Sequence, residues 1–191
     1  MTNNATMIHS RLWRGLRWGM WGGLAALLAL PLVAMQLTDE VQWTLSDFMV
    51  MGGMLGMVGV AFELVVRVAR GSAYVLAAGM AIATAFLMTW INLAVGIIGD
   101  EGNPANLMFF GVLVVGLLAV AFSRLRPLGM ARAMEVTALA QVLVSLITLA
   151  IGEGYIFVLT GCFVAMWLVS AQLFRKAARE QTGPDSAAHA V

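Results

Sequence analysis

Hydrophobic residues along this chain gather into six long runs, parted by polar or charged breaks. A helix needs about 20 mainly apolar residues to cross the hydrocarbon core of a bilayer. The runs 18–37, 48–66, 74–98, 107–123, 134–151 and 154–174 reach or approach that length, and each predicts a helical span. The first four are clearly separated. The last two are joined only by Gly152 and Glu153 before Gly154, which predicts a tight hairpin. One bent helix is the alternative reading, but about 40 residues far exceed a single crossing. Pro31 falls inside the first run and predicts a kink, because proline lacks the backbone donor and crowds the preceding turn. Residues 1–17 read as a basic N-terminal segment. Residues 175–191 read as a tail, disordered at its polar, small-residue end.

Composition agrees with the runs. Of 191 residues, 61% are hydrophobic and 11% charged, with a mean hydropathy of +0.91. Soluble domains carry about 25% charged residues, so too little polar surface remains here to coat a water-soluble globule. The expected fold class is all-α: one polytopic transmembrane bundle of six spans in three hairpins.

Placing the charges predicts orientation. Arg11, Arg14 and Arg17 precede span one, Arg67 and Arg70 follow span two, and Arg124, Arg126 and Arg132 follow span four. Arg175, Lys176 and Arg179 follow span six. Every basic residue thus lies in an alternate non-span segment. The intervening ones hold only acids: Asp39, Glu40 and Asp47, then Asp100 and Glu101, then Glu153. Basic loops stay cytoplasmic during insertion, so six spans put both termini inside. Trp13, Trp18, Trp21 and Tyr74 fall at the inner interface and Trp43 and Tyr155 at the outer one, where amphipathic rings prefer to sit. Trp90 and Trp167 lie deeper and read as packing residues. The basic start and apolar run also raise a cleaved signal peptide. Leu32–Gln36 lacks a small-x-small cleavage site, so we read an uncleaved first span.

Candidate chemistry is sparse. One cysteine, Cys162, and two terminal-segment histidines, His9 and His189, disfavour disulfide, haem and metal chemistry. Phosphate loops, nucleophile–base pairs and HExxH patterns are absent, so no cofactor, nucleotide or nucleic acid is expected. Asp100, Glu101, Asn103 and Asn106 make the richest polar turn. They suit a hard cation or a partner, but Asn103 and Pro104 also read simply as the cap and first position of the next helix. Glu63 and Glu135 lie about one turn from the inner interface and mark either a relay or interfacial ion pairs, with Arg67 and Arg132 close in sequence. Thr137, Gln141, Ser145 and Thr148 fall within an arc of about 80° on span five, with Asn92 and Thr84 offered by span three. They line a polar path or bond helices together. Gly52 and Gly56 form a GxxxG packing face on span two. The methionines beside them, Met49, Met51, Met54 and Met57, do not share one face and read as packing rather than soft-metal ligands.

The stretch Ile91–Gly96 is similar to Ile147–Gly152, each placed before an outer turn, a weak sign of internal repetition. The run Trp90-Ile91-Asn92-Leu93-Ala94-Val95-Gly96-Ile97-Ile98-Gly99, continued by Asn103-Pro104-Ala105-Asn106-Leu107-Met108, resembles small multi-pass inner-membrane proteins of bacteria, a family of hypothetical proteins. The resemblance extends over about residues 47–180. It implies a bacterial inner-membrane location and carries no activity or site residue. Two functions stay open: a non-enzymatic scaffold that docks itself or another membrane protein, and a small oligomeric transporter or channel for a polar solute or ion.

Overall fold

In the computed structural model, the backbone is described for residues 3–153 and 156–182, and side chains within these from residue 17 onward. The expected disordered tail end with His189, the ring of Tyr155, and the side chains of His9, Arg11, Trp13 and Arg14 lie outside the described residues. The helices are α1 Asn3–Leu37, α2 Leu45–Val68, α3 Ser72–Ala94, α4 Leu107–Ser123, α5 Pro127–Ala150 and α6 Phe157–Thr182. Among the described residues there is no strand. All six helices are long and apolar enough to cross a membrane.

Local chemistry sets the helix ends. Thr44 and Asp47 form a capping box at the start of α2: the Thr44 N–H and hydroxyl both donate to Asp47 Oδ2, at 2.7 and 2.8 Å, and the Asp47 N–H reaches Thr44 Oγ1. Two orphan backbone donors are satisfied reciprocally in this way. Pro127 takes the first position of α5, where its missing N–H costs nothing. The helix closes in a Schellman motif, with Glu153 N–H donating to Thr148 O and Gly152 N–H to Leu149 O. Gly152 has φ +93°, a conformation open to glycine at little cost. Helix α3 stops at Ala94, four residues short of the apolar run that predicted it. Gly96, at φ +73°, turns the chain out of the helix. The similarity between Ile91–Gly96 and Ile147–Gly152 is thus a shared helix-ending signal, each glycine standing just past a C-terminus.

The chain divides into two compact units, Met1–Leu64 and Val65–Val191. In the first, α1 and the part of α2 up to Leu64 run antiparallel in a register visible at three levels. Arg17 pairs with Glu63, the Trp21 ring lies over Gly59, and Leu28 lies against Gly52. Each step forward along α1 is matched by an equal step backward along α2. A Cβ built on Gly59 would fall 2.6 Å from the Trp21 ring, so only glycine leaves room for the indole.

In the second unit, α6 packs on both α3 and α5, and α5 packs on α4. Helices α5 and α6 therefore form a packed hairpin. Helices α3 and α4, though consecutive, each take their main partner from the α5–α6 pair. Tyr74 and Phe174 meet edge to face at 5.0 Å, and the Tyr74 hydroxyl donates to Leu125 O at 2.9 Å. Ser170 Oγ donates to Ala77 O at 2.8 Å, tying α6 to α3. A Cβ on Gly116 would meet Thr137 Oγ1 at 3.0 Å, which marks a close approach of α4 and α5. Large apolar residues also face outward: Leu117, Phe122 and Leu139 are 70%, 85% and 69% exposed. Lipid tails solvate such a surface as well as a protein core does. Trp167 is buried, as expected of a packing residue, whereas Trp90 is 40% exposed and leans on Phe86, with ring centroids 6.1 Å apart.

Candidate functional site

The polar turn between α3 and α4 is built around Asn106. Its Oδ1 accepts from the Ile97 and Ile98 N–H groups at 3.1 and 2.8 Å, and its Nδ2 donates to Ile98 O and Asp100 O at 3.2 and 2.7 Å. The side chain is buried with Ile97 and Ile98. Asn106 thereby satisfies the backbone just beyond the end of α3, where a Schellman motif would have used the helix's own carbonyl. Asn92, one of the residues expected to line a path, joins the same knot: its Nδ2 donates to Asn106 O at 3.1 Å. Asn103 caps the 3-10 turn Pro104–Asn106 by accepting from Ala105 N–H at 3.0 Å. Asp100 Oδ1 accepts from Gly102 N–H at 3.0 Å. The polar atoms of three of the four turn candidates are thus engaged inside the turn, while Asp100 and Glu101 remain exposed at its surface.

The stripe on α5 is buried along its length: Thr137, Gln141, Ser145 and Thr148 are 0%, 0%, 6% and 1% exposed. Its hydroxyls bond their own helix. Thr137 donates to Ala133 O, Ser145 to Gln141 O and Thr148 to Ser145 O, at 2.8, 2.9 and 2.8 Å. Thr84 on α3 does the same with Met80 O. Back-bonding of this kind removes the hydroxyl's polarity from the helix interface. Gln141 differs. Neither Oε1 nor Nε2 has a partner among the described residues, and Asn92 Oδ1 and Trp167 Nε1 are unbonded as well.

The two candidate acids, Glu63 and Glu135, are both paired across helices. Glu63 binds Arg17 of α1. Glu135 of α5 binds Arg175 of α6, 40 residues away, where sequence neighbours had pointed to Arg132. Each pair lies within its own unit and holds two helices at the end where the basic residues gather.

The glycine face of α2 is used in a staggered way. Gly52 meets Leu28, and the closest approach falls at Gly59, which sequence reading passed over. Gly56 and Gly53 have nothing within 4 Å and present open backbone. The signal for Gly59 was its position seven residues after Gly52, matching the spacing of Trp21 and Leu28. Met51 and Met54 are buried, while Met49 and Met57 are exposed, so the four do not gather. Cys162 is exposed on α6.

Searches against protein-family models, curated proteins and solved structures found no match to this chain.

Proposed function

We propose that this chain is a six-span protein of a bacterial inner membrane, with both termini cytoplasmic, that serves as a non-enzymatic scaffold docking another membrane component. The observation that carries the reading is where the polar groups are committed. Asn92 and Asn106 brace the outer turn, the hydroxyls of α5 bond their own backbone, and Glu63 and Glu135 are neutralised by arginines. A path for a polar solute needs such groups free to exchange partners with the solute. Open backbone at Gly53 and Gly56 and exposed acids at Asp100 and Glu101 offer a partner both an apolar and a polar point of contact. Close backbone approach at small residues is how helices associate in lipid. Orientation rests on the segregation of Lys and Arg described above. The partners implied are the bilayer and a second membrane protein, or another copy of this chain.

A second reading has one observation in its favour, the buried and unbonded Gln141 amide. On that reading the chain is a small oligomeric transporter with Gln141 and Asn92 on its path and Glu63 or Glu135 at the inner mouth. Two measurements separate the readings. A photo-crosslinking residue at Gly53 or Glu101 should capture a discrete membrane partner from native membranes, and Gly56→Leu should abolish capture at Gly53. Gln141→Leu and Asn92→Leu, if folded, should leave solute flux into proteoliposomes unchanged; loss of a flux that the wild type supports would overturn the scaffold reading.

A further inference from the structure

One end of the Val65–Val191 unit carries more positive charge than its own acids neutralise. Arg70 precedes α3, Arg124 and Arg126 stand in the turn between α4 and α5, and α5 and α6 add Arg132, Arg175, Lys176 and Arg179. Among the described residues of the unit, the acids at this end are Glu135 and Glu180. Both are already engaged, Glu135 by Arg175 and Glu180 by Lys176. Arg70, Arg124, Arg126, Arg132 and Arg179 have no ion-pair partner among the described residues, and all five are exposed.

Side-chain contacts draw these segments to one surface. Tyr74, in the first turn of α3, donates to Leu125 O at 2.9 Å and meets the Phe174 ring of α6 at 5.0 Å. Leu125 lies between Arg124 and Arg126, and Phe174 stands next to Arg175. A Cβ built on Gly71 would lie 3.8 Å from Glu180 Oε2, which brings the Arg70 segment against that of Arg179.

The α4–α5 turn is also held in a fixed shape. Arg124 and Leu125 have φ of 50° and 57°, a left-handed conformation that residues with a Cβ avoid. Ser123 Oγ accepts the Leu125 N–H at 3.1 Å, and the Arg126 N–H reaches Ser123 O at 3.2 Å. Such strain persists only where the surroundings over-determine it. The turn keeps Leu125 half-buried and leaves an arginine exposed on either side.

The neighbours of these arginines say what kind of anion fits. Phe122, two residues before Arg124, is 85% exposed, and Leu128, two residues after Arg126, is 51% exposed. A soluble anion would use the arginines alone. An anionic phospholipid uses both features. Its phosphate takes paired guanidinium N–H bonds, and its acyl chains cover the outward apolar side chains. A zwitterionic headgroup brings its own cation and leaves the excess positive charge in place.

We propose that Arg124 and Arg126, with Arg70, hold the headgroup of an anionic phospholipid whose acyl chains lie against Phe122 and Leu128. This rests on the six-span reading only in setting this end of the unit at a bilayer surface. It depends neither on which side that surface faces nor on the scaffold role.

The test is native mass spectrometry of the full-length protein in detergent, titrated with phosphatidylglycerol or with phosphatidylcholine of identical acyl chains. The wild type should bind phosphatidylglycerol about tenfold more tightly, and Arg124→Gln with Arg126→Gln should remove about tenfold of that affinity while leaving phosphatidylcholine unchanged. Equal binding of the two lipids by the wild type would overturn the proposal, as would undiminished phosphatidylglycerol binding by the double variant. Displacement of the lipid by glycerol phosphate would assign the arginines to a soluble anion, and displacement by a polyglutamate peptide to an acidic protein; either contradicts the site. If the double variant fails to fold, Arg70→Gln carries the test, with an expected loss of about fivefold and an unchanged affinity counting against the site. Binding in micelles is read without a bilayer, so a reversed threading would leave the lipid preference standing, and a missing preference would leave the threading untouched.

Discussion

Asn106 commits its whole carboxamide to the turn that it serves, two acceptances at Oδ1 and two donations from Nδ2. Removing it leaves the Ile97 and Ile98 N–H groups without partners in a buried place. Each net hydrogen bond is worth about 1 kcal/mol and each stranded buried group costs about 1–3 kcal/mol. Asn106→Leu should therefore destabilise the protein by about 3 kcal/mol or more, measured by thermal unfolding in detergent. Asn103→Ala removes a single capping bond and should cost about 1 kcal/mol. Equal losses in the two variants would contradict the role given to Asn106. Gly59 makes a comparable case through space rather than bonding. Gly59→Ala forces a methyl group into the Trp21 ring and should cost about 1–3 kcal/mol, whereas Gly56→Ala meets nothing and should be neutral or slightly stabilising. The sequence marks Asn106 as a turn candidate, but not the bracing role that it plays there. Asn106 acts on residues eight and nine positions back, which no helical spacing links. For Gly59 the spacing from Gly52 matches that of Trp21 and Leu28, but the ring on the facing helix is what makes the position critical.

At the scale of the element, much could be read directly. Asn103 and Gly152 are initiation and termination signals whose physics is local, whereas α5 begins at Pro127, seven residues before the run 134–151 that predicts it. Span three was overextended because hydrophobicity continues through Ile97 and Ile98, while the backbone leaves the helix at Gly96. Helix pairing was less legible, since the partners of Glu63 and Glu135 lie 46 and 40 residues away, on other helices. The register of α1 against α2 can be tested with cysteines in a Cys162→Ser background. Leu28→Cys with Gly52→Cys should form a disulfide on mild oxidation, and Leu28→Cys with Gly56→Cys should not. The reverse yield would mean another register. The Glu135–Arg175 pair is partly exposed, at 30% and 42%, and such pairs contribute at most about 1 kcal/mol. Glu135→Gln should lower stability by less than that, and the exchange Glu135→Arg with Arg175→Glu should restore most of the loss. A loss of several kcal/mol in Glu135→Gln would show instead that the acid has a further role.

For the whole molecule, the count of six apolar helices follows from the lengths of the runs, and their fitness to span a membrane from composition. Which helices pack together does not follow from either. Helix α6 lies between α3 and α5 because small or hydroxyl residues such as Ala77 and Ser170 let their backbones approach, a match between distant segments. The central claim is the threading of these helices through the membrane, on which the scaffold reading and both docking contacts depend. It is tested most directly by fusing reporters to the full chain within three loops. Alkaline phosphatase, active only outside the cytoplasm, should be active at Glu101 and at Glu40 and inactive at Arg126. A fluorescent protein that folds only in the cytoplasm should glow at Arg126 and after Thr182 and stay dark at Glu101. A cytoplasmic Asp100–Asn106 turn in that experiment would contradict the arrangement as a whole.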